Sequence, residues 1–268
     1  MKLGIISDIH CNPYGLQQAL AAMDAADEVL CLGDSINESR FCNETVAALK
    51  ARGARVILGN HEEAFLSAAG RGACKGNRTD RSLLAWLAGR PLRLLLELGG
   101  KKLLMVHSTP WEPRGDYVFP HSEQLERFAE ADADFVLYGH THAQLVRRVG
   151  RVLVINPGSA GEARYGGNDW QLSCAILDTA AEAVELIDFP DPRYTEAPDG
   201  GSVLAPVPSM CGCGSCAPQG GRGAVASWSN HRSAAYRSLI WRSNPPKISS
   251  LRRAAADDDE HYVYTIAL

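Results

Sequence analysis

The sequence lacks any run of 18 or more apolar residues, so no transmembrane helix is expected. It lacks the charged region, long apolar stretch and cleavage site of a secretory leader. The first residues run directly into KLGIIS, and no signal peptide is expected. It lacks a surplus of one charge: 27 basic residues stand against 31 acidic ones, for a net charge of −4, which gives no global basic field to attract nucleic acid. It also lacks a disulfide framework. Five of its eight cysteines (Cys11, Cys31, Cys42, Cys74 and Cys174) are scattered among apolar or loop positions of a chain far too long to need staples, and they read as reduced thiols in a cytoplasmic protein. What is present is an ordinary globular composition, 46% hydrophobic and 22% charged, in 268 residues that can hold one large domain or one domain with an extension.

The chain divides unequally. Over residues 1–190 short apolar runs alternate with helical patterns. KLGIIS (2–7), EVLCL (28–32), RVIL (55–58), KLLMV (102–106) and DFVLY (134–138) read as strands. Leu16, Leu20 and Met23, Val46 and Leu49, and Leu83, Leu84 and Leu87 recur at helical spacing. RVLVIN (151–156), QLSCAILD (171–178) and AVELIDF (183–189) then follow closely, as antiparallel strands do. A βαβ beginning and a strand-rich end argue for two packed sheets with helices outside. Residues 191–268 differ: proline, glycine and serine fill 24 of 78 positions and periodicity fades, which reads as a low-complexity, poorly ordered extension. Within it a short helix is predicted near HRSAAYRSLIWR (231–242), and YVYTI (262–266) reads as a lone strand.

Residues 7–12, SDIHCN, stand where the first strand should hand over to a helix. Asn12 before Pro13 is a helix N-cap pattern, but capping leaves Asp8 and His10 unexplained. In an extended chain these two point the same way, and a carboxylate and an imidazole aimed at one point suit a divalent metal. The event recurs. EVLCL ends in Gly33-Asp34, RVIL in Gly59-Asn60-His61-Glu62, KLLMV in His107, and DFVLY in Gly139-His140-Thr141-His142. Singly, each has a plain alternative: a cap, a turn, a rim histidine or a solvated loop. Those alternatives predict no shared location, yet all five clusters fall at carboxyl ends of strands, where open α/β sheets bind ligands. Three oxygen-side donors (Asp8, Asp34, Asn60) and four imidazoles (His10, His107, His140, His142) are too many for one catalytic ion with an open position, and suit two. Mixed oxygen and nitrogen donors favour Mn foremost, with Fe, Zn or Ni as alternatives, over Mg or Ca; the absence of cysteine among them argues against structural zinc.

The ordered set DxH, GD, GNHE, H and GHTH resembles the calcineurin-like metallophosphoesterase superfamily, and most closely its bacterial and archaeal phosphodiesterase-like branch. SDIHCN is similar to the branch's SDIHGN, and INPGSAGEAR to its NPGS segment; the resemblance covers about residues 1–190. It implies an α/β fold, a four-layer α/β/β/α sandwich of two mixed sheets. It implies hydrolysis of a small-molecule phosphoester, a diester first, with phosphomonoesters or dinucleoside polyphosphates as alternatives and a non-catalytic scaffold of the same fold behind them. By resemblance Asp8, His10 and His142 hold one ion and Asn60, His107 and His140 the other. Asp34 bridges them through its two oxygens, and His61 stabilises charge or protonates the leaving oxygen without binding metal. Asn12 and Glu62 stand behind these residues. Cys11 replaces the branch's usual glycine, Glu62 stands where aspartate is commoner, and GDSINES lacks the arginine and acid directly after GD that protein phosphatases carry.

Two further features complete the reading. Cys211, Cys213 and Cys216, with a fourth ligand such as His231, are a candidate metal site, but the spacing matches no established motif. Arg71, Lys75, Arg78, Arg81 and Arg114 are candidate phosphate clamps on loops, with solvated surface charge as the plainer reading. A homo-oligomer is compatible with the sequence.

Overall fold

The computed structural model describes residues 1–68, 70, 79–113, 115–191, 193–196, 202–204, 237–242 and 262–265. In chain order the elements are β1 (Lys2–Ile6), α1 (Pro13–Ala22), β2 (Glu28–Cys31), α2 (Asn43–Ala51), β3 (Arg55–Val56), α3 (Asn60–Leu66), α4 (Arg81–Ala88), β4 (Arg93–Leu98) and β5 (Lys101–Val106). A 3₁₀ helix (Glu123–Glu130) precedes β6 (Phe135–Leu137), β7 (Leu145–Val149), β8 (Val152–Asn156), β9 (Leu172–Asp178), β10 (Ala183–Phe189), β11 (Tyr194–Glu196), β12 (Ser202–Leu204), β13 (Arg237–Arg242) and β14 (Tyr262–Thr265).

Two mixed sheets result. The first has the order β14-β13-β10-β9-β1-β2-β3 and the second β4-β5-β6-β8-β7, while β11 and β12 form a separate pair. Strands β1, β2 and β3 are parallel because α1 and α2 carry the chain back over one face; β5 and β6 are parallel in the second sheet. Side chains alternate. Leu3, Ile5, Leu30 and Leu32 of the first sheet meet Leu103, Met105, Phe135, Leu137, Leu153 and Ile155 of the second in a core between the sheets. Ile6, Val29, Cys31 and Val56 face outward onto Leu16, Met23, Val46, Leu49, Phe65 and Leu87 from the helices. The outer face of the second sheet is covered more thinly: Leu104, Val106, Val136 and Val154 pack against Val118 and against Leu125 and Phe128 of the 3₁₀ helix. Among the described residues the fourth layer is formed by this 3₁₀ helix and a loop.

Within residues 1–190 two strands, β4 and β7, lie outside the sequence reading. RLLLEL (β4) alternates between exposed and half-buried positions at the sheet edge, and joins β5 through Gly99-Gly100, both at positive φ (60° and 74°). This two-residue glycine turn twists as hairpin strands require. Strand β7 likewise pairs antiparallel with β8.

Beyond residue 190 the described residues form four short strands, β11 to β14. Arg237–Arg242 is a strand, not the helix predicted over 231–242. It pairs with β10 from Ala183↔Arg242 to Asp188↔Arg237, satisfying backbone groups that the edge of β10 would otherwise leave open. Tyr262–Thr265 is not alone but runs parallel to it. Cys74, Cys211, Cys213, Cys216 and His231 lie outside the described residues, as do Arg71, Lys75, Arg78 and Arg114.

Every described core side chain lies between Leu3 and Phe189. We propose that residues 1–190 form the complete sandwich and that β13 and β14 are an addition to its edge. A chain stopped after Pro190 is then expected to unfold cooperatively in urea and to retain metal binding. An insoluble product, or one without a cooperative transition, would show that β13 is required by the fold.

Candidate metal centre

The carboxyl ends of β1, β2 and β3 in one sheet and of β5 and β6 in the other open onto the same place. Asp8 and His10 follow β1, Asp34 follows β2, Asn60 begins α3 directly after the β3 segment, His107 follows β5, and His140 and His142 follow β6. All five clusters of the sequence converge. Asp8, His10, Asp34, His107, His140 and His142 are buried, none more than 6% exposed. Donor atoms fall into three overlapping groups, Asp8/His10/His142, His10/Asp34/His61 and Asp34/His107/His140.

The turns that aim these side chains are strained. Asp8, His10, Cys11, Asp34, His140 and His142 all have left-handed backbones, φ 47–66°. Such a conformation costs a non-glycine residue about 1 kcal/mol or more and persists only where the surroundings impose it. The surroundings do. The Asp8 N–H donates to the Gly33 carbonyl (3.1 Å), the His10 N–H to the Asp34 carbonyl (2.9 Å) and the Gly139 N–H to the His107 carbonyl (3.0 Å). Ser159 Oγ donates to the Asp8 carbonyl at 2.7 Å, and Asn156 Nδ2 to the Gly139 carbonyl at 2.9 Å, so the NPGS segment clasps both the first and last clusters. A β-carbon at Gly59 would strike the Asp34 carboxylate, and one at Gly139 would strike Ser7 Oγ. Close approach thus explains the glycines before Asn60 and His140.

Glu62 organises this region from beneath. Its buried carboxylate accepts backbone N–H groups from Asp34 (2.8 Å), Ser35 (2.7 Å), Ile36 (3.2 Å) and Gly59 (2.8 Å), and the Ser35 hydroxyl at 2.6 Å. Burial and the neighbouring Asp34 charge push its pKa up while these donors pull it down. Five donors on two oxygens suit an acceptor-only, ionised carboxylate, against the net upward push of burial. Asn12 accepts the Gly15 N–H at 3.0 Å, capping α1, and donates to the Gly161 carbonyl at 3.0 Å. Gly59, not Asn60, is the N-cap of α3.

The histidine tautomers are set by what lies behind each ring. Nδ1 of His107 meets the Leu32 carbonyl at 2.8 Å, Nδ1 of His10 meets Asn37 Oδ1 at 3.1 Å, and Nδ1 of His142 meets the Glu162 carbonyl at 3.4 Å. Each Nδ1 therefore carries the proton and each Nε2 presents a lone pair. Those lone pairs face other acceptors. His10 Nε2 lies 3.1 Å from His142 Nε2, and His107 Nε2 lies 3.0 Å from Asn60 Oδ1 and 3.2 Å from Asp34 Oδ2. Asp8 Oδ1 is 3.4 Å from His142 Nε2, and both it and His140 Nε2 are buried with no hydrogen-bond partner. Apposed acceptors repel unless a proton or a cation lies between them. With protons alone, burial works against charge on His107, but Asp34 and Asp8 outweigh it and push the pKa up to about 10. Burial and the His107 charge push His140 down to about 4. The donor set fits divalent cations, which satisfy both groups at once.

His61 differs. Its Nδ1 accepts the Glu38 N–H at 3.1 Å, so the neutral ring carries its proton on Nε2, which points towards Asp34 Oδ2 at 3.8 Å. A protonated Nε2 is a hydrogen-bond donor, not a ligand, although distance alone would group it with His10 and Asp34. Asp34 differs from the expected bridge in one respect. Oδ1 accepts the His61 N–H at 2.9 Å, which leaves Oδ2 as the oxygen facing the imidazoles. Sequence reasoning missed Asn37, which orients His10, and Tyr117, Phe119 and Arg164, which line the cleft above the centre with Asp34, Asn60, His61, His140, Thr141 and His142.

Residues 1–182 match the calcineurin-like phosphoesterase superfamily domain. The chain belongs to this superfamily. It is thereby a hydrolase of phosphoester bonds, and the family implies divalent metal ions, for which the chain has candidate ligand groups. The phosphoesterase is 25% identical over 214 residues to the uncharacterised protein MJ0912 of Methanocaldococcus jannaschii, covering 69% of this chain and 86% of that one. It is 33% identical over 153 residues to a symmetrical bis(5'-nucleosyl)-tetraphosphatase of Paracidovorax citrulli, about half of each chain (50% and 53%). In fold it is similar to a metallophosphoesterase from Sphaerobacter thermophilus (TM-score 0.58, 23% identity, 69% of this chain and 87% of that one). It is also similar to the hypothetical protein PH1004 of Pyrococcus horikoshii (TM-score 0.60, 17% identity, 72% and 89%). Among the described residues no helix is long and apolar enough to cross a membrane.

Glu62→Gln is the variant that tests the support beneath the site. Either orientation of the amide turns an NH₂ group against at least two buried donors, at roughly 1–3 kcal/mol for each one left unpaired. Urea unfolding is expected to show a loss of roughly 2–5 kcal/mol, with weakened metal binding. Unchanged stability and metal content would contradict this role.

Proposed function

We propose that the protein is a dinuclear-metal phosphoesterase, and first a phosphodiesterase, working on a small-molecule phosphoester in the cytoplasm. The observation that carries the reading is the set of imidazole lone pairs of His10, His107 and His142, each backed by an Nδ1 contact to an oxygen, converging with two aspartates. Asp8, His10 and His142 form one ligand group, and Asn60, His107 and His140 the other. Asp34 lies within reach of His10 on one side and of His107 and His140 on the other, so it is the residue that would hold both ions. Oxygen and nitrogen donors without thiolate favour manganese, then Fe, Zn or Ni. When bound, such ions supply Lewis acidity towards the phosphoryl oxygens and an activated water for in-line attack.

The protein's own groups do the rest. The His107 and His142 rings are held by backbone carbonyls, the His10 ring by Asn37, and the Asp8 and Asp34 carboxylates by the backbone N–H groups of His140 and His61, so little reorganisation accompanies reaction. His61 offers its Nε2–H into the cleft, where it stabilises charge on a phosphoryl oxygen or gives its proton to the leaving oxygen as the P–O ester bond breaks. Its ring is about a quarter exposed, 26%, as a group that meets substrate must be. Arg164 lines the cleft, its guanidinium resting on Glu162 at 2.5 Å, and adds a cation near the phosphate. A dinucleoside polyphosphatase is the second reading, favoured by the 33% identity to the nucleosyl-tetraphosphatase. A non-catalytic scaffold would have no use for the complete donor set.

Two substitutions separate ligands from acid. Asp34→Asn removes a shared negative charge, and hydrolysis of a model phosphodiester with Mn²⁺ is expected to fall by about 10²-fold or more with loss of metal. His61→Ala is expected to keep its metal and lose roughly 10²–10⁴ in rate, less for leaving groups that need no proton. Full activity after Asp34→Asn, or a missing ion after His61→Ala, would overturn the respective assignment.

A further inference from the structure

One wall of the cleft takes no part in binding cations. Tyr117 and Phe119 alternate with the fully buried Val118, so both rings stand on the open side, 56% and 37% exposed. Both line the cleft that contains Asp34, Asn60, His61, His140 and His142. Their rings are nearly parallel, 14° apart in tilt with centroids 6.1 Å apart, and His121 continues the series from Phe119 at 5.9 Å and 11°. Tyr117 also lies against the His140 ring, 3.8 Å between centroids and 27° in tilt, which joins the aromatic wall directly to the candidate ligand set.

The wall is rigid. Tyr138 donates its hydroxyl to the Val118 carbonyl at 2.9 Å, and Trp111 Nε1 donates to the Asp116 carboxylate at 2.8 Å. Ser108 donates its hydroxyl to the Asp116 carbonyl. Val118 is itself anchored among Leu104, Val106, Leu125, Phe128 and Tyr138. Aromatic rings left in water forgo the burial that would stabilise them elsewhere, whereas exposed π faces on a pinned backbone lose little entropy when a planar group stacks on them. Any base presents a π face, and base–aromatic stacking tolerates base identity.

We propose that Tyr117 and Phe119 form a platform on which the nucleobase of a nucleotide phosphoester stacks while its phosphoryl group lies at the metal centre. The proposal rests on the phosphoesterase reading and narrows the substrate class to nucleotides. Tyr117 also braces His140, so Phe119 is the cleaner position to vary.

The test measures binding of adenosine 5'-monophosphate and of ribose 5-phosphate to the full chain loaded with Mn²⁺, by calorimetry. The two probes differ chiefly in the base. The protein is expected to bind the adenosine compound roughly tenfold more tightly. Phe119→Ala is expected to remove most of that ratio, Phe119→Leu to remove it while keeping an apolar side chain in place, and Phe119→Trp to retain it. Equal affinities for the two probes in the unsubstituted protein, no measurable binding of the adenosine compound, or a ratio that survives Phe119→Leu would overturn the platform. If the base preference and its loss are both seen but no phosphoester is hydrolysed, the platform stands and the catalytic reading fails.

Discussion

Atoms that repel one another sit face to face at the heart of this protein, and the rest of the structure is arranged to keep them there. Lone pairs of His10, His142 and His107 point at one another, at Asp8 and Asp34, and at the Asn60 carbonyl. No packing of apolar side chains would choose such a cluster, because buried acceptors without donors are costly. It makes sense as one half of an interaction whose other half is positive. A proton can serve, as the raised pKa of His107 indicates, but a proton satisfies one pair of acceptors and a divalent cation satisfies several.

Keeping such a cluster intact before its cation arrives requires a stiff frame. The sandwich supplies it by bringing carboxyl ends of parallel strands from both sheets to one edge. The frame is then tightened locally. Left-handed turns at six residues aim the side chains, the NPGS segment ties the first cluster to the last, and Glu62 gathers four backbone N–H groups from the loops that follow β2 and β3. A tyrosine ring against His140 extends the same order towards solvent, where a substrate would meet it.

The location of the centre was legible in the sequence because rare donor types followed short apolar strands five times in succession, and strand ends in α/β sheets converge. The two sheets were legible for a related reason: buried strands such as LGII and VLVIN are almost wholly apolar and end abruptly. The edge strands were harder to read. RLLLEL is leucine-rich next to a helix of similar composition, and only the Gly99-Gly100 pair marks the turn that makes it a strand. Contacts between distant positions were not legible at all. Nothing local to Asn37 says that it orients His10, nothing local to Glu62 reveals its five donors, and which Asp34 oxygen is free depends on the amide of His61. The aromatic wall was missed because Tyr117 and Phe119 carry no donor-type signature and reach the site only through the fold.

The most direct measurement of the central claim is a crystal structure of the manganese-soaked protein with anomalous scattering recorded at the manganese edge. The account predicts two peaks, one among Asp8, His10 and His142 and one among Asn60, His107 and His140, with Asp34 Oδ2 touching both and His61 touching neither. A single peak, or an ion bound through His61 Nε2, would contradict it.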